Sequence, residues 1–397
     1  MSNHCAAPWR GLHVQVDGGI STCCAGGIKF GNINTHTLEE ALSDPKLKEI
    51  RERMKSGELP EEYCGVCKRA RENNLTSEMD WHNSLNKDFD IQSSGTDYQF
   101  PVIFDARWDN TCNSACTYCT PFFSSKWGSL LGERVDRPVK DHKKKIQDFF
   151  VGNSHGLKTV SMVGGEPLLL KQNSNLLDII PENVTVDIIT NLSTDVTKSK
   201  VFEKLLAKRK VHWHVSLENV EQRYEYVRQE SKWDQLLTNL KIIGNEIRNP
   251  PEKNDHEIGF MSIFNLFNST RLCEFKEFSI EAMSFFPHKF KGMNNIIKNI
   301  DVVWQNFKEP KALCLDHYGK DILEYSIVEI EKFLQKDPTD IEKQFFNAKI
   351  QEFKNAPAHT TDTQKALLRN FIAKNEKVFD NTGTFKKLWP ELSFLTD

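Results

Sequence analysis

The most distinctive run of this sequence is Trp108-Asp109-Asn110-Thr111-Cys112-Asn113-Ser114-Ala115-Cys116-Thr117-Tyr118-Cys119. It holds three cysteines, Cys112, Cys116 and Cys119, directly after an apolar run at residues 102–107 that predicts a β-strand. Thiolates are the usual ligands of iron–sulfur clusters, and three of them on one short loop can converge on one metal centre. A cubane that only carries electrons normally takes four cysteines, so three leave one iron open to a substrate or cofactor. The alternatives are a zinc site or unrelated core cysteines.

The chain around this loop alternates between strand and helix patterns. Further apolar runs predict strands at residues 159–163, 184–190, 211–217 and 258–264, and the segments between them predict helices near 139–150, 173–180, 198–209 and 232–247. Strands separated by helices form βαβ units of a parallel sheet, whose chemistry lies on the loops after the carboxyl ends of the strands. We therefore predict an α/β fold, a partial (β/α)6 TIM-like barrel.

A second motif, Gly164-Gly165-Glu166-Pro167, follows the second predicted strand. Glycines at the end of a strand let the backbone approach a ligand closely. A carboxylate in the same place can accept hydrogen bonds from an ammonium group. Because this motif comes one βα unit after the cysteine loop, we expect both motifs to serve one site.

The Cys-x-x-x-Cys-x-x-Cys spacing, with the aromatic Tyr118 before the last cysteine, resembles the defining motif of the radical S-adenosylmethionine (SAM) superfamily. The resemblance implies a [4Fe–4S] cluster on Cys112, Cys116 and Cys119, whose open iron chelates the amino and carboxylate groups of SAM, with Tyr118 beside the cofactor. It also implies reductive cleavage of SAM to a 5′-deoxyadenosyl radical, which abstracts hydrogen from a substrate, and an electron donor such as flavodoxin or ferredoxin. Residues 164–167 resemble the family's Gly-Gly-Glu-Pro motif, which holds the amino group of SAM.

Four later polar residues match the family's order more weakly. Asn191 closes the third predicted strand, Ser216 and Glu218 close the fourth, and Arg228 follows in Tyr226-Val227-Arg228. In the family, a serine followed by an acidic residue often contacts the ribose or methionine part of SAM, and a basic residue can reach its carboxylate. The resemblance adds these four residues to the cofactor site, although each alone is more often a structural polar residue.

Period-two geometry selects further residues independently of the family. Ser216, His214 and His212 share one face of their predicted strand, and Arg107 and Asp105 share one face of the first strand. If Ser216 faces the cofactor, the two histidines line the barrel interior. His212, His214, Asp105 and Arg107 are candidates for substrate contact or proton transfer. The alternative is a buried hydrogen-bond network, because barrel interiors are normally packed.

The N-terminal part of the chain holds five more cysteines. The spacing of Cys5, Cys23, Cys64 and Cys67 resembles the twitch domain, a shortened SPASM domain that binds an auxiliary [4Fe–4S] cluster, and the motif selects Cys23 over its neighbour Cys24. In the family this domain usually follows the barrel, whereas here it precedes it. A structural zinc site is the rival interpretation, since a Cys-x-x-Cys pair with two remote thiolates also suits zinc.

Local patterns predict the remaining elements. Residues 12–16 alternate and are followed by Asp17-Gly18-Gly19, which predicts a β-hairpin. Residues 37–55 predict a helix that Pro45 breaks near its middle. Further helices are predicted at the C-terminal end of the chain, over residues 322–334, 339–353 and 362–375.

These patterns divide the chain into four parts. We predict an auxiliary-cluster domain at residues 1–75, a polar linker at 76–97, the barrel at 98–290 and a helical C-terminal segment at 291–397. The role of the helical segment does not follow from the sequence.

Composition narrows the class of protein. The chain has 397 residues and a formal net charge of −3, so charge gives no argument for binding nucleic acid or an anionic membrane. Its apolar runs are too short to span a bilayer and its N-terminus lacks a secretory pattern, so we expect a cytoplasmic protein. We interpret the isolated Cys273 and Cys314 as small buried hydrophobes.

The substrate is the least determined part of the sequence prediction. Enzymes with twitch or SPASM domains often modify peptides or proteins and others act on small molecules, so the resemblance implies a peptide or small-molecule substrate. Two other functional classes are an iron–sulfur electron carrier and a zinc-dependent binding protein, neither of which cleaves SAM. Residues 164–167 argue against a carrier, which has no need of an ammonium-binding carboxylate beside its cluster.

Overall fold

The computed structural model of the protein describes residues 4–72, 77–133, 142–247, 255–285, 301–302 and 310–396. Within these residues, nine strands form one mixed sheet and two short strands form a separate ribbon. The strands are β1 (Gly11–Val14), β2 (Gly19–Ser21), β3 (Gly31–Asn32), β4 (Ile103–Ala106), β5 (Ala115–Cys116), β6 (Thr159–Met162), β7 (Thr185–Thr190), β8 (Lys210–Ser216), β9 (Arg228–Gln229), β10 (Asp255–Ser262) and β11 (Asp301–Val302).

The middle of the sheet is parallel. Its strands lie in the order β11-β10-β8-β7-β6-β4, and each pairs in parallel with its neighbours. One face of these strands is apolar and packs with the surrounding helices into the main core, through residues such as Phe104, Val160, Ile188, Val215 and Phe260. The predicted α/β fold with a central parallel sheet is therefore confirmed, and all five predicted strands form within a few residues of their expected ends.

Helices connect the parallel strands as the sequence predicted. The helices of this part lie at Ser125–Leu131, His142–Asn153, Lys171–Leu177, Lys200–Leu206, Glu221–Val227, Trp233–Ile247, Leu266–Ser269 and Leu272–Ala282, with 3₁₀ turns at Ser154–Gly156, Pro167–Leu169, Val196–Lys198 and Met283–Phe285. The first residues of the helix predicted near 139–150 lie outside the described residues. No helix in the described ranges combines the length and apolar character needed to cross a bilayer.

The N-terminal hairpin extends the same sheet. β1 pairs antiparallel with β2, which confirms the predicted hairpin, and Gly18 in the turn has a φ of 81° that favours glycine. On its other side β1 pairs in parallel with β4, from Gly11 opposite Ile103 to Val14 opposite Ala106. The N-terminal unit and the parallel sheet therefore share backbone hydrogen bonds.

Five short helices complete the N-terminal unit, at Ala7–Arg10, Leu38–Leu42, Pro45–Lys55, Glu61–Glu72 and Glu78–Leu85. Pro45 begins the third of them, so the predicted break is confirmed. Residues 76–97, which we predicted to be a polar linker, instead fold into the N-terminal unit where the structure describes them. This segment contains the helix Glu78–Leu85, and its Phe89 and Ile91 are buried in the core of the N-terminal unit, because the apolar residues among its polar ones find partners there.

The C-terminal segment is helical, as predicted. Its α-helices lie at Lys320–Phe333, Asp340–Lys354, Asp362–Val378 and Thr384–Leu388, with 3₁₀ turns at Lys311–Leu313, Leu315–His317 and Pro390–Thr396. They enclose a second core that reaches the parallel sheet's loops, where Trp389 packs against Tyr226 and Phe267. The predicted boundary near residue 290 lies outside the described residues.

Candidate functional site

The three-cysteine loop follows the carboxyl end of β4 and is anchored at several points. The Cys112 backbone N–H donates to Ser125 Oγ at 3.1 Å, and the Cys119 N–H donates to the Cys116 carbonyl at 2.9 Å. Cys116 itself lies in β5, which pairs antiparallel with β9. The backbone therefore fixes the three cysteines relative to one another, as a site for one metal centre requires.

Burial shapes the chemistry of these thiols. Cys116 is buried, and Cys112 and Cys119 are half-buried. Burial raises the pKa of all three thiols, that of Cys112 to about 12, since a thiolate loses its hydration there. A metal centre that binds these sulfurs as thiolates must therefore displace their protons.

The Gly164-Gly165-Glu166-Pro167 turn packs directly on the cysteine loop. The Gly165 N–H donates to the Asp109 carbonyl at 3.1 Å, and the Glu166 N–H donates to the Thr111 carbonyl at 2.8 Å. A Cβ at Gly165 would lie 2.2 Å from the Thr111 carbonyl oxygen, and Gly164 has a φ of 125°. The sequence analysis expected these glycines to let the backbone approach a ligand. In the structure they let the turn approach the cysteine loop.

The Glu166 carboxylate is fully buried and largely satisfied by the chain. It accepts hydrogen bonds from Thr190 Oγ1 at 2.7 Å, the Asn191 N–H at 2.7 Å and the Leu168 N–H at 3.1 Å. Burial raises its pKa to about 7, although these three donors lower it. Oε2 accepts only the Asn191 bond, so it keeps a lone pair for a further donor.

Asn191 joins the Glu166 turn to the cysteine loop. Its backbone holds Glu166, and its side-chain amide lies 3.8 Å from Cys112 Sγ, 2.9 Å from Asn113 Oδ1 and 3.1 Å from Ser114 Oγ. The sequence analysis selected Asn191 but missed Asn113 and Ser114. Their position inside the cysteine motif was the available signal.

Arg228 and Glu218 form a buried ion pair with each other. Two hydrogen bonds join them, from Arg228 Nε at 2.8 Å and from Nη2 at 2.7 Å, and their side chains are 5% and 1% exposed. The remaining Nη1 of Arg228 lies 3.7 Å from Cys116 Sγ, and the guanidinium stands 5.6 Å from the centre of the Tyr118 ring. Burial alone would lower the Arg228 pKa, but the Glu218 carboxylate holds it well above its ordinary value.

Ser216 and the predicted interior residues lie on the polar face of the sheet. Ser216 is half-buried at the end of β8. Asp105 is buried and pairs with Arg107 at 3.0 Å, which outweighs burial and lowers the Asp105 pKa. His212 and His214 are half-buried beside Asp187. Asp105 and Arg107 thus form a buried polar contact, as the alternative interpretation expected. The two histidines form a half-buried cluster with Asp187.

The N-terminal cysteines meet in one core. Cys5, Cys23, Cys64 and Cys67 are all buried in the same apolar cluster, and Cys64 and Cys67 lie on the helix Glu61–Glu72. Burial, together with the charge of Cys67, raises the pKa of the Cys64 thiol to about 12. Cys24 is half-buried.

The spread of the sulfur atoms bears on which metal suits each cysteine set. Zn–S bonds of about 2.3 Å place the sulfurs of a tetrahedral zinc site about 3.8 Å apart. In the described part of the chain, two groups have three or more His, Cys, Asp or Glu ligand atoms mutually within 4.8 Å, and neither contains a residue of the two cysteine sets. Within the described residues, neither cysteine set therefore has three ligand atoms gathered as closely as a tetrahedral zinc ion holds them.

Two family models match the parts of the chain that contain these cysteines. Residues 109–254 match the model of the radical SAM superfamily, and residues 5–68 match SPASM, an iron–sulfur cluster-binding domain. A search of curated proteins found no match.

Two similar solved structures are both of Streptococcus suis SuiB. SuiB bound to the precursor peptide SuiA is 16% identical, with 62% of this chain and 53% of that chain covered and a TM-score of 0.35. SuiB bound to S-adenosylmethionine is 19% identical, with 62% and 51% covered and the same TM-score of 0.35. This chain thus spans about half the length of SuiB. At these TM-scores the likeness carries no argument about function.

Proposed function

Residues 109–254 belong to the radical SAM superfamily and residues 5–68 are a SPASM iron–sulfur domain, and from this premise we propose that the chain is an enzyme that cleaves SAM reductively to start radical chemistry on a substrate. The radical SAM domain implies SAM and a [4Fe–4S] cluster, and the SPASM domain implies auxiliary iron–sulfur clusters. When bound, cluster and SAM supply an electron and a 5′-deoxyadenosyl radical for hydrogen abstraction. The chain's own residues bind, orient and exclude water.

The observation that carries the proposal is the hydrogen-bonded connection between the cysteine loop and the Glu166 turn. Asn191 contacts both Cys112 Sγ and Glu166, so a ligand of the metal centre and a carboxylate with a free lone pair are held in one network. A simple electron carrier needs the sulfurs but not the carboxylate. An ammonium group that donates to Glu166 Oε2 would be held next to the cluster site.

The residues of this network have distinct tasks in the proposal. Cys112, Cys116 and Cys119 hold the cluster, and Glu166 receives the amino group of SAM. Arg228 Nη1 faces the Cys116 sulfur and lowers the pKa of that thiol against the effect of burial, so it favours the thiolate that a cluster requires. Because Glu218 already engages Arg228 through two hydrogen bonds, we assign the pair to the cluster rather than to the cofactor's carboxylate.

We propose further that Gly164, Gly165 and Pro167 shape the turn, while Tyr118 and Ser216 border the cofactor. The packing of Gly165 supports the role of the turn, because the close approach of its backbone to the cysteine loop leaves no room for a side chain.

The auxiliary site completes the proposal. Cys5, Cys23, Cys64 and Cys67 would hold a second cluster, and the match of residues 5–68 to an iron–sulfur cluster-binding domain supports a cluster over zinc. Flavodoxin or ferredoxin would supply the electron. The substrate would be a peptide or a small molecule.

The decisive experiment measures 5′-deoxyadenosine after anaerobic reconstitution with iron and sulfide and reduction in the presence of SAM. The parent protein should release it, and Cys116→Ala should not. Cys273→Ala is the matched control, since this half-exposed cysteine belongs to neither set. Equal product from the Cys116→Ala and parent proteins would contradict the proposal, and a brown protein that never releases product would be an electron carrier.

Metal analysis tests the auxiliary site separately. The parent protein should hold more iron than one cubane contains, and Cys64→Ala should lower the iron content while the cluster on the three-cysteine loop remains. If a variant that lacks Cys112, Cys116 and Cys119 binds zinc and no iron, the N-terminal site is structural zinc.

A further inference from the structure

A row of polar side chains crosses the sheet on the face opposite the main core. Its members are register neighbours on six successive strands, from β1 to β10: His13, Asp105, Ser161, Asp187, His212 and Glu257. Arg107 pairs with Asp105 near one end of this row, whereas in the described part of the chain Asp187 makes its ion-pair contact with His212 and none with Lys or Arg. Asp187 therefore faces a histidine, which can bind a metal ion, where Asp105 faces a permanently charged arginine.

Three side chains converge at the end of the row that contains Asp187. Asp187 on β7 and His212 and His214 on β8 each offer a ligand atom, and these three atoms all lie within 4.8 Å of one another. The two histidines share one face because they are two residues apart on a strand. We call Asp187, His212 and His214 the lumen triad. All three are half-buried, so the triad is sheltered but reachable.

His212 on β8 and Asp187 on β7 are in direct contact with each other. His212 Nδ1 lies only 2.6 Å from Asp187 Oδ1. Yet this buried oxygen accepts no hydrogen bond of acceptable geometry, so the ring N–H does not point at it. An ion that binds both atoms must move them slightly apart, because neighbouring ligands of one ion on bonds of about 2.1 Å lie about 3 Å from each other.

A carboxylate stands behind His212, as is usual for a histidine that binds metal. Glu257 Oε2 lies 3.6 Å from His212 Nε2, the ring nitrogen away from Asp187. That nitrogen is buried and has no hydrogen-bond partner. Metal-binding histidines almost always donate their second N–H to a carboxylate, carbonyl or water, which orients the ring. A small movement would give Glu257 this role.

From this arrangement we propose that the lumen triad binds one divalent first-row transition-metal ion of the iron(II) or manganese(II) class. Two imidazoles and one carboxylate form a donor set that leaves coordination positions open, and it contains no thiolate to select a softer ion. The open positions would take an oxygen or nitrogen atom of a substrate. Asp187 precedes Asn191 by four residues, about 13 Å along an extended strand, so this ion is separate from the cluster site. The proposal does not rest on the proposed function.

Binding of Mn²⁺ to the full-length protein tests the proposal, because this ion prefers nitrogen and oxygen donors over the chain's many thiols. In a titration followed by electron paramagnetic resonance, the parent protein should bind one Mn²⁺ per chain. Asp187→Asn and His214→Gln should each abolish this binding. Glu257→Gln should weaken it about tenfold, as loss of an orienting partner does. Pulsed spectra of the parent complex should show ¹⁴N coupling from imidazole.

A control and a folding check make the result decisive. Asp255→Asn removes an exposed carboxylate from the same strand as Glu257 and should leave Mn²⁺ binding unchanged. Asp187→Asn preserves side-chain shape, so an unchanged melting temperature identifies a loss of binding as a loss of ligand. The proposal is overturned if the parent protein binds no Mn²⁺, if Asp187→Asn and His214→Gln bind it like the parent, or if the bound ion shows no ¹⁴N coupling. A protonated His212 bridging two carboxylates would give the first of these results.

Discussion

Removing one partner of the Arg228–Glu218 ion pair should destabilise the protein strongly. The two side chains are 5% and 1% exposed, and two hydrogen bonds of 2.7 and 2.8 Å join them. Glu218→Gln keeps the shape of the side chain but leaves the Arg228 charge without its counter-ion. Arg228→Met leaves the Glu218 charge in the same position. In either variant an uncompensated charge stays where water cannot reach it.

The magnitude follows from that burial. Removing one member of a buried ion pair costs about 3–5 kcal/mol of unfolding free energy. Removing both members leaves no buried charge, so the double variant should be more stable than the sum of the single effects predicts, by at least about 2 kcal/mol. Lys232 and Glu225 are the matched control, since their contact is 2.9 Å long but 73% and 35% exposed. Glu225→Gln should cost less than about 1 kcal/mol.

Urea unfolding of the four variants, followed by circular dichroism under one set of anaerobic conditions, measures these differences. Retention of the near-400 nm absorption reports separately whether the cluster site survives. If Glu218→Gln costs no more than Glu225→Gln, the pair is not the buried contact described here. If the single effects add within about 0.5 kcal/mol, the two side chains do not interact.

Three further predictions concern other parts of the two sites. Burial raises the pKa of Glu166 to about 7 from 4.5, so the stability that its protonated form contributes is complete below pH 4.5 and is lost as the pH rises through 7, by up to about 3 kcal/mol. Glu166→Gln should therefore narrow the gap in melting temperature between pH 5 and pH 8, and an unchanged gap would contradict this. Gly165→Ala should lower the unfolding free energy by about 1–3 kcal/mol and reduce iron uptake, because its Cβ would collide with the cysteine loop. In the control Gly259→Ala, the new Cβ has no atom within 4 Å, so the unfolding free energy should change by less than about 0.5 kcal/mol. Similar effects at both positions would disprove the packing argument. Cys23→Ala should lower the iron content of the auxiliary site and Cys24→Ala should not. The reverse result would show that Cys24, and not Cys23, is the ligand.

The sequence predicted the elements whose signals are local. Apolar runs of strand length, separated by amphipathic stretches, predicted β4, β6, β7, β8 and β10, because each pattern is set by residues a few positions apart. The turn at Asp17-Gly18-Gly19 and the break at Pro45 follow from backbone chemistry at single residues. The two site motifs were visible for the same reason, since the cysteines and the Gly-Gly-Glu-Pro run are each contiguous.

Contacts between distant segments could not be predicted in this way. Nothing in residues 11–14 indicates a parallel pairing with β4 far along the chain. The polar residues of segment 76–97 concealed Phe89 and Ile91, whose burial depends on the N-terminal core. Arg228 lies on β9 and Glu218 in the loop after β8, and the resemblance to the family placed both at the cofactor. Their mutual pairing follows from the fold.

The parallel pairing of β1 with β4 has a consequence for how the chain is made. During synthesis β1 emerges long before its partner β4, so its outer edge stays open until that partner is complete. The antiparallel contact with β2 can form at once, which protects one side of the strand, but the other edge is exposed to pairing with another nascent chain. The N-terminal unit is therefore not a module that can be cut off or transplanted intact. A truncated protein that starts at residue 98 would carry an unprotected edge along β4, and expression trials should find it in the aggregated fraction.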